Sequence, residues 1–320
     1  MPVNETLGQY GDWAYTTAVA IYVLAMLFFL FEQSFGRKGR QAAARTRVLA
    51  GAGGPDEVET TDVPQEPERG RAERIGRMGA ALTVLAALLH LASLVLRGVA
   101  TQRVPWSNMH EYISAICLVG VVTWLVVLRK SPVRHLSAFV LFPVVMLMWI
   151  GGSLLYAEPS PLTPPLQSYW IIIHVSAAVI GSGVFLVPGV ASVLYLMRSR
   201  HERNPDKLAK FGPRLPSLEV LDRIAYRTTV FAFPVFTFGV IAGGIWAEAA
   251  WGRFWGWDPK ETVAFIAWVI YAAYLHSRAT AGWRGNRAAI INVLGFSATV
   301  FNLFFVNLVT VGLHSYAGVS

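Results

Sequence analysis

The sequence predicts an all-α polytopic membrane protein with eight transmembrane helices and both termini on the extracytoplasmic side. Three observations support this prediction: an apolar composition, eight apolar runs of membrane-spanning length, and an uneven distribution of Lys and Arg between the connecting loops. None of the three depends on a functional motif.

The composition excludes a soluble domain with a single core. The 320 residues are 54% hydrophobic and only 14% charged, which differs strongly from the average of soluble domains. The net charge of +8 does not indicate nucleic-acid binding, because the basic residues are concentrated in a few loops between apolar runs. The single cysteine, Cys117, lies in an apolar run, so we expect neither a disulfide framework nor a Cys-x-x-Cys redox pair.

Eight apolar runs are long enough to cross the hydrocarbon core of a bilayer, which takes about 20 residues. They cover approximately residues 13–35, 78–96, 109–128, 136–156, 170–197, 226–249, 262–277 and 289–313. Because the number is even, both termini lie on the same side. Of the 27 Lys and Arg residues, 23 lie in the loops of one side, and the positive-inside rule makes that side cytoplasmic. The termini therefore lie outside, in the setting of a bacterial plasma membrane.

The chain is expected to have three parts. Residues 1–35 form an N-terminal transmembrane helix. Residues 36–77 are rich in Ala, Gly, Arg, Glu and Pro and predict a disordered cytoplasmic linker, because this composition cannot bury a core. Residues 78–320 form a seven-helix membrane domain with an outer loop at 250–262.

The outer loop is exceptionally rich in tryptophan. An aromatic belt at the membrane interface is the ordinary explanation for such residues. Belts, however, scatter tryptophans over many helix ends, whereas four of the eleven tryptophans fall within residues 246–257 here. We interpret the loop as a flat apolar platform for a ligand, with Gly252 and Gly256 leaving backbone uncovered between the rings. The platform residues are Trp251, Gly252, Trp255, Trp257 and Asp258.

The end of this loop has the pattern of a helix start. Asp258 is suited to the N-cap, Pro259 to the first helical position and Glu261 to the third. We therefore expect Asp258 and Glu261 to cap the seventh span rather than to act in acid–base catalysis.

Two histidines share the outer side with the tryptophan loop. His174 lies in the first outer turn of the fifth span, and His314 lies just beyond the last apolar run. Two neutral imidazoles beside an aromatic surface suit haem, whose iron accepts one His on each axial face. The alternative, interfacial histidines with ordinary polar partners, remains open because spacing does not show that the two side chains meet.

Other polar residues of the spans have several possible roles. His276 lies near the cytoplasmic end of the seventh span, as an inner ligand or an interfacial histidine. His90 lies within the second span, and His110 and Glu111 open the third, as ligands, proton carriers or caps. The four outer cations are candidates to pair with the haem propionates: Arg97, Arg103, Arg253 and Lys260.

The sequence at 251–261, Trp-Gly-Arg-Phe-Trp-Gly-Trp-Asp-Pro-Lys-Glu, resembles the WWD signature of haem-handling proteins of cytochrome c maturation. The segments 221–227, 274–278 and 312–316 resemble its surroundings, and 107–111 resembles an earlier outer segment of that family. The likeness covers about residues 78–320. Eight spans in 320 residues resemble the CcsA- or ResC-type proteins of system II, which some bacteria name CcsB.

The resemblance implies that His174 and His314 are axial ligands of an externally exposed haem b, which is the cargo. It further implies that His276 binds haem in the membrane together with a histidine of a ResB-type partner. The implied function is support of covalent haem attachment to the Cys-x-x-Cys-His motif of apocytochrome c, as a subunit of a holocytochrome c synthase. A thioredoxin-like thiol reductant is a further candidate partner.

Two alternatives stay open at the level of the sequence. The protein could export haem without ligation activity, or it could be a bis-His electron-transfer cytochrome of the membrane. The second predicts ligands paired deep in the bundle, whereas His174 and His314 are expected at its rim.

Overall fold

The computed structural model describes residues 3–50, 67–161, 167–209, 211–280, 282–310 and 312–314, with the side chains of 36–50 and 67–69 left out of the description. These residues form eight α-helices joined by loops and short 3-10 turns, and they include no β-strand. The helices are α1 (Glu5–Ala50), α2 (Pro67–Thr101), α3 (Met109–Lys130), α4 (Ser137–Ser153), α5 (Tyr169–Arg203), α6 (Leu218–Trp251), α7 (Pro259–Ala279) and α8 (Asn286–Leu308).

Seven helices of the described chain are long and apolar enough to cross a membrane, which confirms an all-α, multi-pass membrane protein. The remaining one, α7, has 21 residues and therefore the necessary length. It differs from the others because Lys260 and Glu261 stand in its first turn and His276 and Arg278 in its last.

The helices pack mainly as antiparallel neighbours in sequence. α1 pairs with α2, α5 with α6, and α7 with α8, while α3 connects the halves by packing on both α4 and α5. The largest apolar cluster lies between α1, α3, α4 and α5 and includes Tyr22, Phe29, Trp124 and Leu186.

Glycines allow the close contact of α5 with its neighbours, as their positions in the sequence suggest. A Cβ on Gly183 would lie 2.7 Å from the carbonyl oxygen of Ile116 in α3. A Cβ on Gly181 would lie 3.0 Å from the Cα of Phe236 in α6. The helices could not keep this spacing with larger residues.

The linker prediction for 36–77 differs from the structure at both ends. α1 continues to Ala50 and α2 begins at Pro67, so 36–50 and 67–77 are helical. The physical reason is that Ala, Arg and Glu have high helix propensity, and they extend the two adjoining helices without needing a core. Residues 51–66 of the predicted linker lie outside the described residues.

Candidate functional site

The tryptophan loop joins α6 to α7 and is anchored at both ends. α6 ends at Gly252, which has a left-handed backbone with φ of 68° and donates its N–H to the carbonyl of Glu248. This conformation turns the chain sharply away from the helix axis. Gly252 therefore serves the turn and does not line the cavity described below.

The start of α7 confirms the predicted helix cap. The Asp258 carboxylate accepts the N–H of Lys260, and the Glu261 carboxylate accepts the N–H of Asp258 at 3.1 Å, which completes a capping box. Glu261 also accepts the N–H of Gly256 at 2.9 Å and pairs with Arg253 at 3.2 Å. One carboxylate thus fixes the second half of the loop.

His174 is held against α6 by a glycine notch. Its Nδ1 lies 2.8 Å from the carbonyl oxygen of Gly239. A Cβ on Gly243 would lie 2.6 Å from the Cε1 of His174, so only glycine at this position admits the ring. The hydrogen bond to a carbonyl places the proton on Nδ1 and makes Nε2 the atom suited to bind a metal.

His314 is held by the first residue of the α7 cap. Its Nδ1 lies 2.7 Å from Oδ2 of Asp258, while Oδ1 of Asp258 accepts the backbone N–H of Leu313 at 2.8 Å. A carboxylate behind a histidine is the arrangement that orients ligands in many metal sites. Asp258 therefore links the tryptophan loop to a histidine 56 residues further along the chain.

Both histidines contact the same indole. The ring of Trp246 is parallel to that of His174 at a centroid distance of 6.0 Å, and it lies 5.9 Å from that of His314. Trp251 contacts Trp246 at 4.7 Å and His314 at 5.1 Å. The structure thus brings together two histidines that lie 140 residues apart in the sequence.

Sequence reasoning missed Trp246 as a site residue. It is 1% exposed and lies within α6, one turn before the loop. Its contribution to the local density of tryptophans was the signal that could have found it.

The other tryptophans of the loop form a second group. Trp255 and Trp257 contact each other at 5.8 Å, and both rest on Phe265 of α7. Trp255 lines the cavity, whereas Trp257 does not and is 65% exposed. Trp257 also has a positive φ of 56°, which is strained for a bulky residue.

A cavity of about 1290 Å³ lies beside the two histidines. Its walls are mostly apolar and come from α2, α3, α5, α6, α7 and α8, together with the segment between α2 and α3. This volume exceeds the usual range of about 300–1000 Å³ for small-molecule sites. Polar atoms reach it mainly from His174, His314, Lys260, Asn302 and Asn307.

The charge states of the two outer residues suit a metal ligand and its support. Burial raises the pKa of Asp258, but the hydrogen bonds from His314 and from the backbone of Leu313 lower it to about 2. Burial lowers the pKa of His314 below its ordinary value, although the Asp258 carboxylate raises it. At neutral pH the pair is therefore a carboxylate and a neutral imidazole, the form that binds iron.

The four outer cations have different surroundings. Arg97 and Arg103 both pair with Glu111, at 2.9 and 2.7 Å, and Arg253 pairs with Glu261. Lys260 lines the cavity, donates to Oδ1 of Asn307 and forms no ion pair with any carboxylate of the described chain. Of the propionate candidates, Lys260 is therefore the one whose charge is directed at the cavity without a carboxylate partner.

The structure does not bring the remaining histidines to the cavity. His90 is buried and lies 2.9 Å from Oγ of Ser114, and His110 is buried with its Nδ1 2.9 Å from the carbonyl oxygen of Gly151. His276 lies on an exposed face near the C-terminal end of α7.

The comparison with known families decides where this chain belongs. Residues 106–314 match the family described as cytochrome C assembly protein. The chain belongs to the cytochrome c assembly family. The match confirms the resemblance drawn from the sequence, and it spans both histidines and the whole tryptophan loop.

Several curated members of this family are similar over most of their length. The cytochrome c biogenesis protein CcsA of Trieres chinensis is 31% identical, with 78% of this chain and 89% of the relative covered. CcsA of Parasynechococcus marenigrum (strain WH8102) is 34% identical, with 73% and 85% covered. CcsA of Chlamydomonas reinhardtii is 40% identical over a shorter stretch, with 50% and 44% covered.

Among solved structures the chain is similar to cytochrome c heme lyase CcmF. The TM-score is 0.63 at 18% sequence identity, with 99% of this chain covered. The chain spans about half of that protein, 49% of its length. At this level of identity the likeness establishes a shared fold.

Proposed function

We propose that this protein binds haem at its outer face and presents it for covalent attachment to apocytochrome c, as a subunit of a holocytochrome c synthase. The observation that carries the proposal is the meeting of His174 and His314 on Trp246 beside a large apolar cavity. Membership of the cytochrome c assembly family supports it.

The proposal includes a topology. α7 is the eighth span, both termini are extracytoplasmic, and the division into 1–35, a cytoplasmic linker within 36–77 and a domain of 78–320 follows from it. The length of α7 and the placement of 23 of 27 basic residues on one side support this arrangement. The tryptophan loop then faces the compartment in which apocytochrome c is matured.

The residues around the cavity fit haem as a substrate. His174 and His314 supply two neutral nitrogens for the axial positions, and Trp251 and Trp255 supply flat apolar faces. Haem contributes the vinyl groups, across which the two cysteine thiols of a Cys-x-x-Cys-His motif add. The protein orients haem by fixing both imidazoles, one through Gly239 and one through Asp258.

Lys260 is proposed as the partner of a haem propionate. Its ammonium group is held at the cavity wall by the neutral side chain of Asn307. Asn302 also lines the cavity, and its Oδ1 is buried without a hydrogen-bond partner. A buried cation beside neutral amides is stabilised by an incoming carboxylate, which forms a charge-assisted hydrogen bond there.

A second haem position is proposed at His276 on the inner side. This histidine faces outward from α7, so a ResB-type partner could supply the opposite ligand. Haem would pass from this position to the outer cavity, and a thioredoxin-like reductant would keep the apocytochrome thiols reduced. The outward orientation of His276 favours a site shared with another protein.

Coexpression with a ResB-type partner and a reporter apocytochrome tests the proposal. Covalent haem staining of the reporter is the readout, and haem export without ligation would leave the reporter unstained. We expect His174→Gly and His314→Gly to abolish staining and imidazole to restore part of it. His201→Gly, which removes a histidine of the predicted cytoplasmic loops, is the matched control.

Full staining in either glycine variant would overturn the assignment of the ligands. The absorption spectrum of the purified chain provides a test without the partner. A missing Soret band in both redox states would exclude haem binding altogether, including the alternative of an electron-transfer cytochrome.

A further inference from the structure

A buried carboxylate, Glu111, lies at the outer end of α3 between two arginines. Glu111 is 0% exposed, and Arg97 and Arg103 have side chains that are 3% and 4% exposed. Arg97 donates its Nε to Oε1 of Glu111 at 2.9 Å. Arg103 reaches both carboxylate oxygens, at 2.7 and 3.0 Å. Charges this deeply buried are retained in a fold only with close partners, because desolvation costs several kcal/mol per ion.

The same carboxylate holds the backbone of the loop between α2 and α3, residues 102–108. Oε2 of Glu111 accepts the N–H of Ser107 at 3.0 Å, and the N–H of Glu111 is capped by the side chain of Asn108 at 2.9 Å. At the other end of the loop, the N–H of Arg103 bonds to the carbonyl of Gly98 at 3.1 Å. The loop is therefore tied down at both ends and in its middle.

All seven residues of the loop line the cavity beside the proposed haem ligands. They form one of its walls, and Trp106 adds an aromatic ring to that wall. The position of the loop thus sets the width of the cavity on the side of α2 and α3.

Helix α1 joins this arrangement through Asp12. Oδ1 of Asp12 accepts a hydrogen bond from Arg97 at 3.1 Å, and Oδ2 accepts the hydroxyl of Tyr156 at 2.7 Å. Arg97 also donates to the carbonyl of Ala157, and Arg103 to that of Ser160 at 2.8 Å. Three elements around the loop converge on the two guanidinium groups: α1, α2 and the segment after α4.

We propose that Glu111 is a positioning residue that, through Arg97 and Arg103, fixes the loop 102–108 as a wall of the cavity, and that Asp12 makes α1 part of this device. Arg97 and Arg103 then act on haem through the shape of the cavity rather than by binding propionates. The consequence for haem rests on the proposed function, whereas the position of the loop does not.

Distance measurement between two spin labels tests the position of the loop without haem. The labels are placed at Gln102→Cys and Phe254→Cys in a Cys117→Ala background, since both sites lie at the cavity and Cys117 is the sole native cysteine. The full chain in lipid nanodiscs should give one narrow distance. Glu111→Gln should lose it, because the neutral amide leaves two buried guanidinium groups without their shared anion.

Two further variants keep the test decisive where Glu111→Gln fails to accumulate. Asp12→Asn removes the anion of α1 alone, and Arg103→Lys keeps the charge while losing the two-point contact with Glu111. Both should broaden the distance. Glu248→Gln, an exposed carboxylate at the outer end of α6, is the matched control and should keep the narrow distance.

Unchanged distances in the Asp12 and Arg103 variants, or an equal broadening in the Glu248 control, would overturn the inference. Transfer of haem to apomyoglobin gives the second readout, and we expect release from the Asp12→Asn protein to be on the order of tenfold faster. A parent protein that binds no haem would refute the proposed function, while the spin-label distances would still decide the role of Glu111.

Discussion

The carboxylate of Asp258 holds His314 at 2.7 Å and at the same time caps helix α7. The two tasks are separable by substitution. Asparagine keeps the cap, because its side-chain oxygen also accepts backbone N–H groups, but it removes the negative charge behind the imidazole.

We expect Asp258→Asn to raise the midpoint potential of bound haem, because the imidazole becomes a weaker electron donor to the ferric iron. Haem affinity should fall about 10–100-fold, the usual effect of losing a support of this kind. Redox titration and haem transfer measure the two effects. Asp258→Ala should show the same shift and in addition lose about 1 kcal/mol of stability with the cap. An unchanged potential in the asparagine variant would contradict the supporting role.

Gly243→Ala should displace His174, because the new Cβ would lie 2.6 Å from the ring. We expect the bis-His spectrum to be replaced by one with a single histidine ligand, as read by electron paramagnetic resonance. Gly70→Ala is the control, since a Cβ there meets nothing within 4 Å. A normal bis-His signal from Gly243→Ala would show that His174 does not bind from this notch.

Lys260→Met should weaken the binding of haem about tenfold or more, the range of a charge-assisted hydrogen bond. It should leave the affinity for haem dimethyl ester unchanged, because the ester has no propionate charge. Binding is titrated by absorbance with both ligands, and Lys207→Met in the loop after α5 is the control. Equal losses for haem and its ester would indicate a role for Lys260 in packing. The Arg253→Ala and Lys260→Ala double variant gives a harsher test, and unchanged haem retention would exclude both residues.

Glu261→Gln should loosen the tryptophan loop, because the carboxylate accepts the N–H groups of Gly256 and Asp258 and pairs with Arg253. We expect faster hydrogen exchange in residues 253–258, measured by mass spectrometry, and unchanged exchange in α2. Equal protection of the loop in the variant and the parent would mean that its aromatic contacts suffice.

Much of this arrangement could be predicted because each signal was local. The cap at Asp258 follows from three neighbouring residues, and the membrane helices follow from runs of apolar residues. The shared side of His174 and His314 was inferred from loop charge, but their meeting on Trp246 depends on how α5, α6 and α8 pack. Spacing along the chain carries no information about that packing.

The arginines illustrate what sequence patterns leave out. Arg97 and Arg103 were predicted to be propionate candidates because they are cations on the correct side. Glu111 is the partner that changes this interpretation, and it was visible only as the residue beside His110. Which carboxylate an arginine meets depends on helix rotation and loop path, here the fold of residues 102–108 over the end of α3.

The two proposed ligands are held with unequal firmness. His174 stands inside a long helix, with its ring fixed by the backbone of a second helix, whereas His314 stands in a turn at 312–314 and depends on a single side chain. We therefore expect His314 to be the labile ligand that gives way to the histidine of an arriving Cys-x-x-Cys-His segment. A Ser-x-x-Ser-His peptide should then complete the iron coordination of His314→Gly but not of His174→Gly, as judged by the Soret shift. The outer site would thus have one permanent ligand and one exchangeable ligand.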